Sequence, residues 1–136
     1  MPQLLILISA LVLGLLGTIH LIITFFGNRM HPRNSELVAL MQNSHPVITR
    51  QTTMWRGWLG FNASHSLGAM LFGAVFGYLS ICQPGVLFGS SFLLAVGLVM
   101  LIGFLVLAKL YWFNVPLLGI SLSFVLYVIG VVMGAT

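Results

Sequence analysis

Negative charge is almost absent from this chain: Glu36 is its only acid, set against five basic residues, and charged residues make up 4% of the total. Ser64 and Ser66 flank His65, but no acid and no Gly-x-Ser-x-Gly loop accompanies them, so triad hydrolysis is excluded. Cysteine is equally scarce. Cys82 stands alone, which excludes an intramolecular disulfide and any cysteine-rich zinc or iron–sulfur site. The cations are too few to line a phosphate backbone, so nucleic acid is not expected as a partner. Phosphate-loop and dinucleotide motifs are missing too, because the glycines lie inside apolar runs with no preceding strand. What remains is 136 residues at 60% hydrophobic with mean hydropathy +1.13, the composition of a membrane protein.

Four apolar stretches, at approximately 4–26, 58–79, 86–108 and 115–133, are long enough to cross a hydrocarbon core of about 30 Å at about 1.5 Å per residue. They predict an all-α integral membrane four-helix bundle, a single transmembrane domain over 1–136. The first stretch reads as an uncleaved anchor, since Arg29 and Arg33 follow the apolar run where a signal peptide would carry its positive charge ahead of it. Gln83-Pro84-Gly85 signals a tight turn that makes the second and third spans antiparallel neighbours. Small residues offer close-packing sides to several spans: Gly14 and Gly17 in the first, Gly60, Ser64, Gly68, Ala69, Gly73 and Gly77 in the second, and Gly119, Ser123, Gly130 and Gly134 in the fourth.

Between the first two spans the turn formers gather. His31-Pro32 and His45-Pro46 bracket Asn34–Gln42, and each proline biases its preceding histidine away from helical angles, which predicts one short helix between them. Asn34 or Ser35 is its expected cap, Glu36 suits the positive end of its dipole, and Leu37, Val38, Leu40 and Met41 give it an apolar face that suits the membrane surface. Arg29, Arg33, Arg50 and Arg56 lie in or beside this loop and Lys109 at the third connection. The positive-inside rule then puts both termini on the non-cytoplasmic side.

The densest polar writing within any span is Gly60-Phe61-Asn62-Ala63-Ser64-His65-Ser66-Leu67-Gly68. On a helix Asn62, His65 and Ser66 fall at i, i+3 and i+4 and share a face. With the expected topology His20 in the first span reaches a similar depth to His65, so His20, Asn62, His65 and Ser66 form a candidate binding cluster, with Thr18 or Thr24 opposite. Four readings stay open for it: interhelical hydrogen-bonded glue, bis-histidine haem ligation by His20 and His65, a quinone, lipid or other small apolar ligand held by His65 and Asn62, and proton transfer between the histidines, which lacks an intramembrane carboxylate. His31 and His45 match no zinc spacing and read as solvated turn residues.

Met54-Trp55-Arg56 together with the Gly-Phe-Asn-Ala-Ser-His-Ser-Leu-Gly stretch resembles a group of small, uncharacterised bacterial four-span membrane proteins that carry a similar Gly-Phe-Asn-x-Ser-His-Ser-x-Gly segment. The resemblance implies four helices in a bacterial inner membrane and no particular activity. Together these features describe an integral membrane protein, in the lipid bilayer, acting as a non-catalytic accessory or scaffold subunit packed against other membrane proteins. The competing class is a haem-, quinone- or lipid-binding protein, redox-active in some forms, built on the His/Asn/Ser cluster.

Overall fold

The computed structural model describes residues 1–134 and is all-helical over them, with six helices in the order α1 (Pro2–Phe25), α2 (Ser35–Asn43), α3 (Met54–Cys82), α4 (Pro84–Gly89), α5 (Ser91–Tyr111) and α6 (Asn114–Gly134). Four of them, α1, α3, α5 and α6, are long and apolar enough to cross a membrane. The expected all-α class therefore stands. The chain divides into two compact units, Met1–Leu16 with Ala69–Thr136, and Gly17–Gly68, and α1 and α3 contribute residues to both.

In the first unit apolar side chains lie both inside and outside, and some hydroxyls lie inside. Large apolar groups such as Leu11, Leu15, Phe92, Val99 and Leu118 are exposed, while Ser9, Ser80 and Ser123 are buried. Lipid solvates the aliphatic side chains as well as the protein does, so the interior is chosen by fit and by the need to pair polar groups. Ile6, Ala10 and Leu13 of α1, Phe72 and Phe76 of α3 and Tyr127 of α6 form its centre. α1 and α3 approach backbone to backbone: a Cβ built on Gly73 would lie 2.8 Å from the Gly14 Cα and 2.9 Å from the Ala10 carbonyl oxygen. On α6 the expected small-residue side is occupied in full, Gly119 by Leu16, Ser123 by Ser9, Gly130 by Ile6 and Gly134 by Phe88.

Hydroxyls close this unit from inside. Ser9 Oγ donates to the Ser123 carbonyl at 2.7 Å and Ser123 Oγ donates to the Ser9 carbonyl at 2.9 Å, a reciprocal pair with both residues fully buried. Tyr127 Oη donates to the Leu94 carbonyl at 3.0 Å, and it reaches that oxygen because Gly97 has no side chain in the way; a Cβ there would meet Tyr127 Oη.

The third span differs from the expected single helix over 86–108. Pro84 takes the first position of the six-residue helix α4, where its missing N–H and fixed φ cost nothing, and the turn expected at Gln83-Pro84-Gly85 is taken up into that helix, the Gln83 carbonyl accepting from Val86 N–H and Leu87 N–H at 3.1 Å each. Ser90 then leaves helical angles at φ −115°, ψ 100°, and its side chain accepts from Leu93 N–H at 3.3 Å, so it caps a new helix and interrupts the old one. The second span begins earlier than expected, because Thr53 Oγ1 accepts from Arg56 N–H at 3.3 Å and caps the helix ahead of Trp55 and Trp58.

The second unit holds the ends of α1 and α3 that the loop joins. At the end of α1 the chain reverses through Gly27, whose φ of +89° is a left-handed angle that an L side chain adopts only at a cost of about 1–2 kcal/mol. α2 forms where the two His-Pro steps bracket it, capped by Asn34, whose Oδ1 accepts from Glu36 N–H at 2.8 Å. None of its residues is buried, and Leu37 and Leu40 are exposed.

Candidate functional site

The polar cluster lies wholly within the second unit. His20 sits one turn before Thr24 on α1, and the buried Thr24 Oγ1 donates to the His20 carbonyl at 2.7 Å. On α3 the turns Trp58, Asn62 and Ser66 follow one another. Asn62 Nδ2 donates to the Trp58 carbonyl at 2.8 Å, and Ser66 Oγ, fully buried, donates to the Asn62 carbonyl at 2.9 Å. Between the helices, His20 Nε2 and Asn62 Oδ1 are 3.0 Å apart.

Hydrogen-bond polarity assigns the protons along this chain of contacts. The Trp58 carbonyl can only accept, so the Asn62 atom facing it is the NH2 group and the atom facing His20 is the carbonyl oxygen. His20 Nε2 must therefore carry hydrogen, and the neutral ring is the Nε2–H tautomer with its lone pair on Nδ1. Backbone, amide and imidazole form one directed relay, Trp58 O from Asn62 Nδ2 and Asn62 Oδ1 from His20 Nε2. The His65 ring meets the His20 ring edge to face, with centroids 5.6 Å apart and planes at 88°.

Three of the four residues expected to cluster are thus brought together: His20, Asn62 and His65. Ser66 shares their helix face, but its hydroxyl proton is committed to its own backbone, as helical serines in apolar surroundings commonly are. Thr24, expected opposite, likewise turns to its own helix. The pair does not fit a haem as it stands. Two axial imidazoles must point a nitrogen at each other across a macrocycle, whereas here an edge meets a face with the rings in contact, and His20 Nε2 is already bonded to Asn62. Among the described residues no three His, Cys, Asp or Glu side chains converge on a point that could hold a metal ion.

What the arrangement does chemically is to bind α1 to α3 through a directional contact in which His20 Nε2 donates to Asn62 Oδ1. A double-mutant cycle of His20→Leu and Asn62→Leu is expected to give a coupling energy of about 0.6–1.7 kcal/mol, measured by unfolding of the purified protein in mixed micelles. His20→Gln, which keeps an N–H donor, should retain most of it. Strict additivity would show that the bond contributes nothing to holding the helices.

Two loop histidines read from the sequence as solvated are each engaged. His31 packs edge to face on Trp55 with centroids 4.8 Å apart, and His45 Nδ1 donates to the Thr52 carbonyl at 2.7 Å. Trp58 Nε1 donates to the Met30 carbonyl at 3.2 Å, so the two tryptophans that open α3 hold the end of the loop from α1. Trp55 and Trp58, at i and i+3, are the sequence signal for these contacts, and interfacial tryptophans at the start of a span are common without any loop contact. No family model matches the chain, and neither a curated protein nor a solved structure matches it.

Proposed function

We propose that this integral membrane protein is a non-catalytic accessory or scaffold subunit that packs against other membrane proteins. The observation that carries the reading is on α3. Gly57 and Gly60 meet nothing within 4 Å of a built Cβ, and Ser64 is exposed, although Gly73 on the same helix is in backbone contact with α1. Small residues let a neighbouring helix backbone approach closely, and among the described residues nothing fills the space beside Gly57 and Gly60. The polar groups within the spans support the same reading, since His20, Asn62, Thr24 and Ser66 bond to each other or to their own helices.

Purification in a gentle detergent is expected to yield an assembly larger than one chain. Gly60→Leu should dissolve that assembly and leave the fold of the isolated chain unchanged. A wild-type protein running as a single chain, or carrying a bound chromophore, would overturn the proposal.

The compartment proposed is the bacterial inner membrane with both termini on the non-cytoplasmic side. The orientation is supported by the four arginines in or beside the loop between α1 and α3 and by Lys109 at the end of α5. A reporter fused after Asn43 should read cytoplasmic and one at Gln83 non-cytoplasmic; the reverse pattern would refute the orientation. A second reading, a small apolar ligand such as a quinone or lipid tail hydrogen-bonded at His65 and Asn62, is favoured by one observation, the meeting of two imidazoles within spans that carry no acid.

A further inference from the structure

We infer that the loop after α1 holds an anionic phospholipid, with the phosphate beside Arg33 and the start of an acyl chain against Trp58. Two open depressions adjoin here and share His31 and Pro32. The first, about 440 Å³, adds Asn28, Arg33 and Ser35, which offer a guanidinium, an amide and a hydroxyl to a phosphate. The second, about 330 Å³, adds Met30, Met41 and Trp58, an apolar lining apart from the shared histidine. A polar hollow and an apolar one that share His31 and Pro32 match the two parts of an amphiphile, and neither half alone does.

Contacts within the second unit hold the walls. Trp55 packs on the His31 ring, Trp58 Nε1 holds the Met30 carbonyl, and His31 N–H closes a turn on the Asn28 carbonyl at 3.0 Å. Charge decides the headgroup. Arg29, Arg33, Arg50 and Arg56 all belong to this unit, and Glu36 is the single acid available to offset four cations. A net positive loop at a membrane surface selects anionic over zwitterionic lipid. Exposure decides between lipid and free phosphate: Val47 and Ile48 are fully or almost fully exposed in the same loop, and with the exposed Leu37 and Leu40 of α2 they suit acyl chains and headgroup carbon, not water.

The test uses the full-length protein in mild detergent, titrated with phosphatidylglycerol, with phosphatidylcholine of the same chain length, and with glycerol 3-phosphate, and bound adducts counted by native mass spectrometry. Phosphatidylglycerol should bind at about fivefold lower concentration than phosphatidylcholine, the preference one surface cation confers. Arg33→Gln should erase that preference and Arg33→Lys should keep most of it. Lys109→Gln removes the same charge outside both depressions and should leave the preference intact. Trp58→Ala should weaken both lipids together. Equal binding of the two lipids, parallel loss in Arg33→Gln and Lys109→Gln, or glycerol 3-phosphate binding as tightly as the whole lipid would overturn the inference.

Discussion

Gly73→Leu is expected to destabilise the protein by on the order of 3 kcal/mol, while Gly60→Leu, the same change three to four turns earlier on the same helix, should shift stability by no more than about 0.5 kcal/mol. The difference lies in what each Cβ would meet. At position 73 it would stand 2.8 Å from the Gly14 Cα and 2.9 Å from the Ala10 carbonyl oxygen. Those atoms are backbone, so no rotamer change relieves the clash and α1 must move away from α3, giving up close packing along their contact. At position 60 a side chain enters open space. The measurement is reversible unfolding in mixed micelles, with helicity followed through the transition. Equal effects of the two substitutions would mean that the Gly14–Gly73 approach does not limit the packing.

Tyr127→Ala should cost about 2 kcal/mol or more, and Tyr127→Phe about 0.6 kcal/mol, which separates the ring from its hydroxyl. Tyr127 is fully buried, with its ring 5.6 Å from Phe76 and 6.0 Å from Phe72 by centroids, and its hydroxyl on the Leu94 carbonyl. In water such a truncation would also lose transfer free energy, but in a bilayer the unfolded helix is solvated by hydrocarbon and that contribution largely cancels. The cavity remains: about 24 cal/mol per Å³ over on the order of 100 Å³ of lost side chain gives the figure. The phenylalanine variant keeps the volume and loses one hydrogen bond. If Tyr127→Phe proved as costly as Tyr127→Ala, the hydroxyl would be holding α5 to α6 and the ring would be filler.

Much of the secondary structure is legible without coordinates, because it rests on local causes. The His-Pro steps bracket α2, Asn34 caps it, and the apolar lengths mark α1, α3, α5 and α6. The break at Ser90 is local too, and it escapes notice because a serine in an apolar run reads as tolerable within a helix until its side chain is seen capping Leu93. Small-residue rows are legible as rows. Whether a row is packed is another matter: the stripe from Gly60 to Gly77 along α3 is empty at Gly60 and in backbone contact at Gly73, and spacing alone cannot tell the two ends apart.

The candidate site divides the same way. An apolar span containing His20, and another containing Asn62, His65 and Ser66, must pair those groups inside protein, and that follows from sequence because hydrocarbon offers them no partner. That His20 Nε2 meets Asn62 Oδ1, that Ser66 and Thr24 turn to their own helices, and that Ser9 and Ser123 exchange hydroxyl bonds across 114 positions of chain were decided only in the tertiary structure. Composition and helical periodicity set which groups need partners and which face of a helix carries them. The rotation of one helix against another selects the partner, and that rotation depends on the summed fit of side chains far apart in sequence.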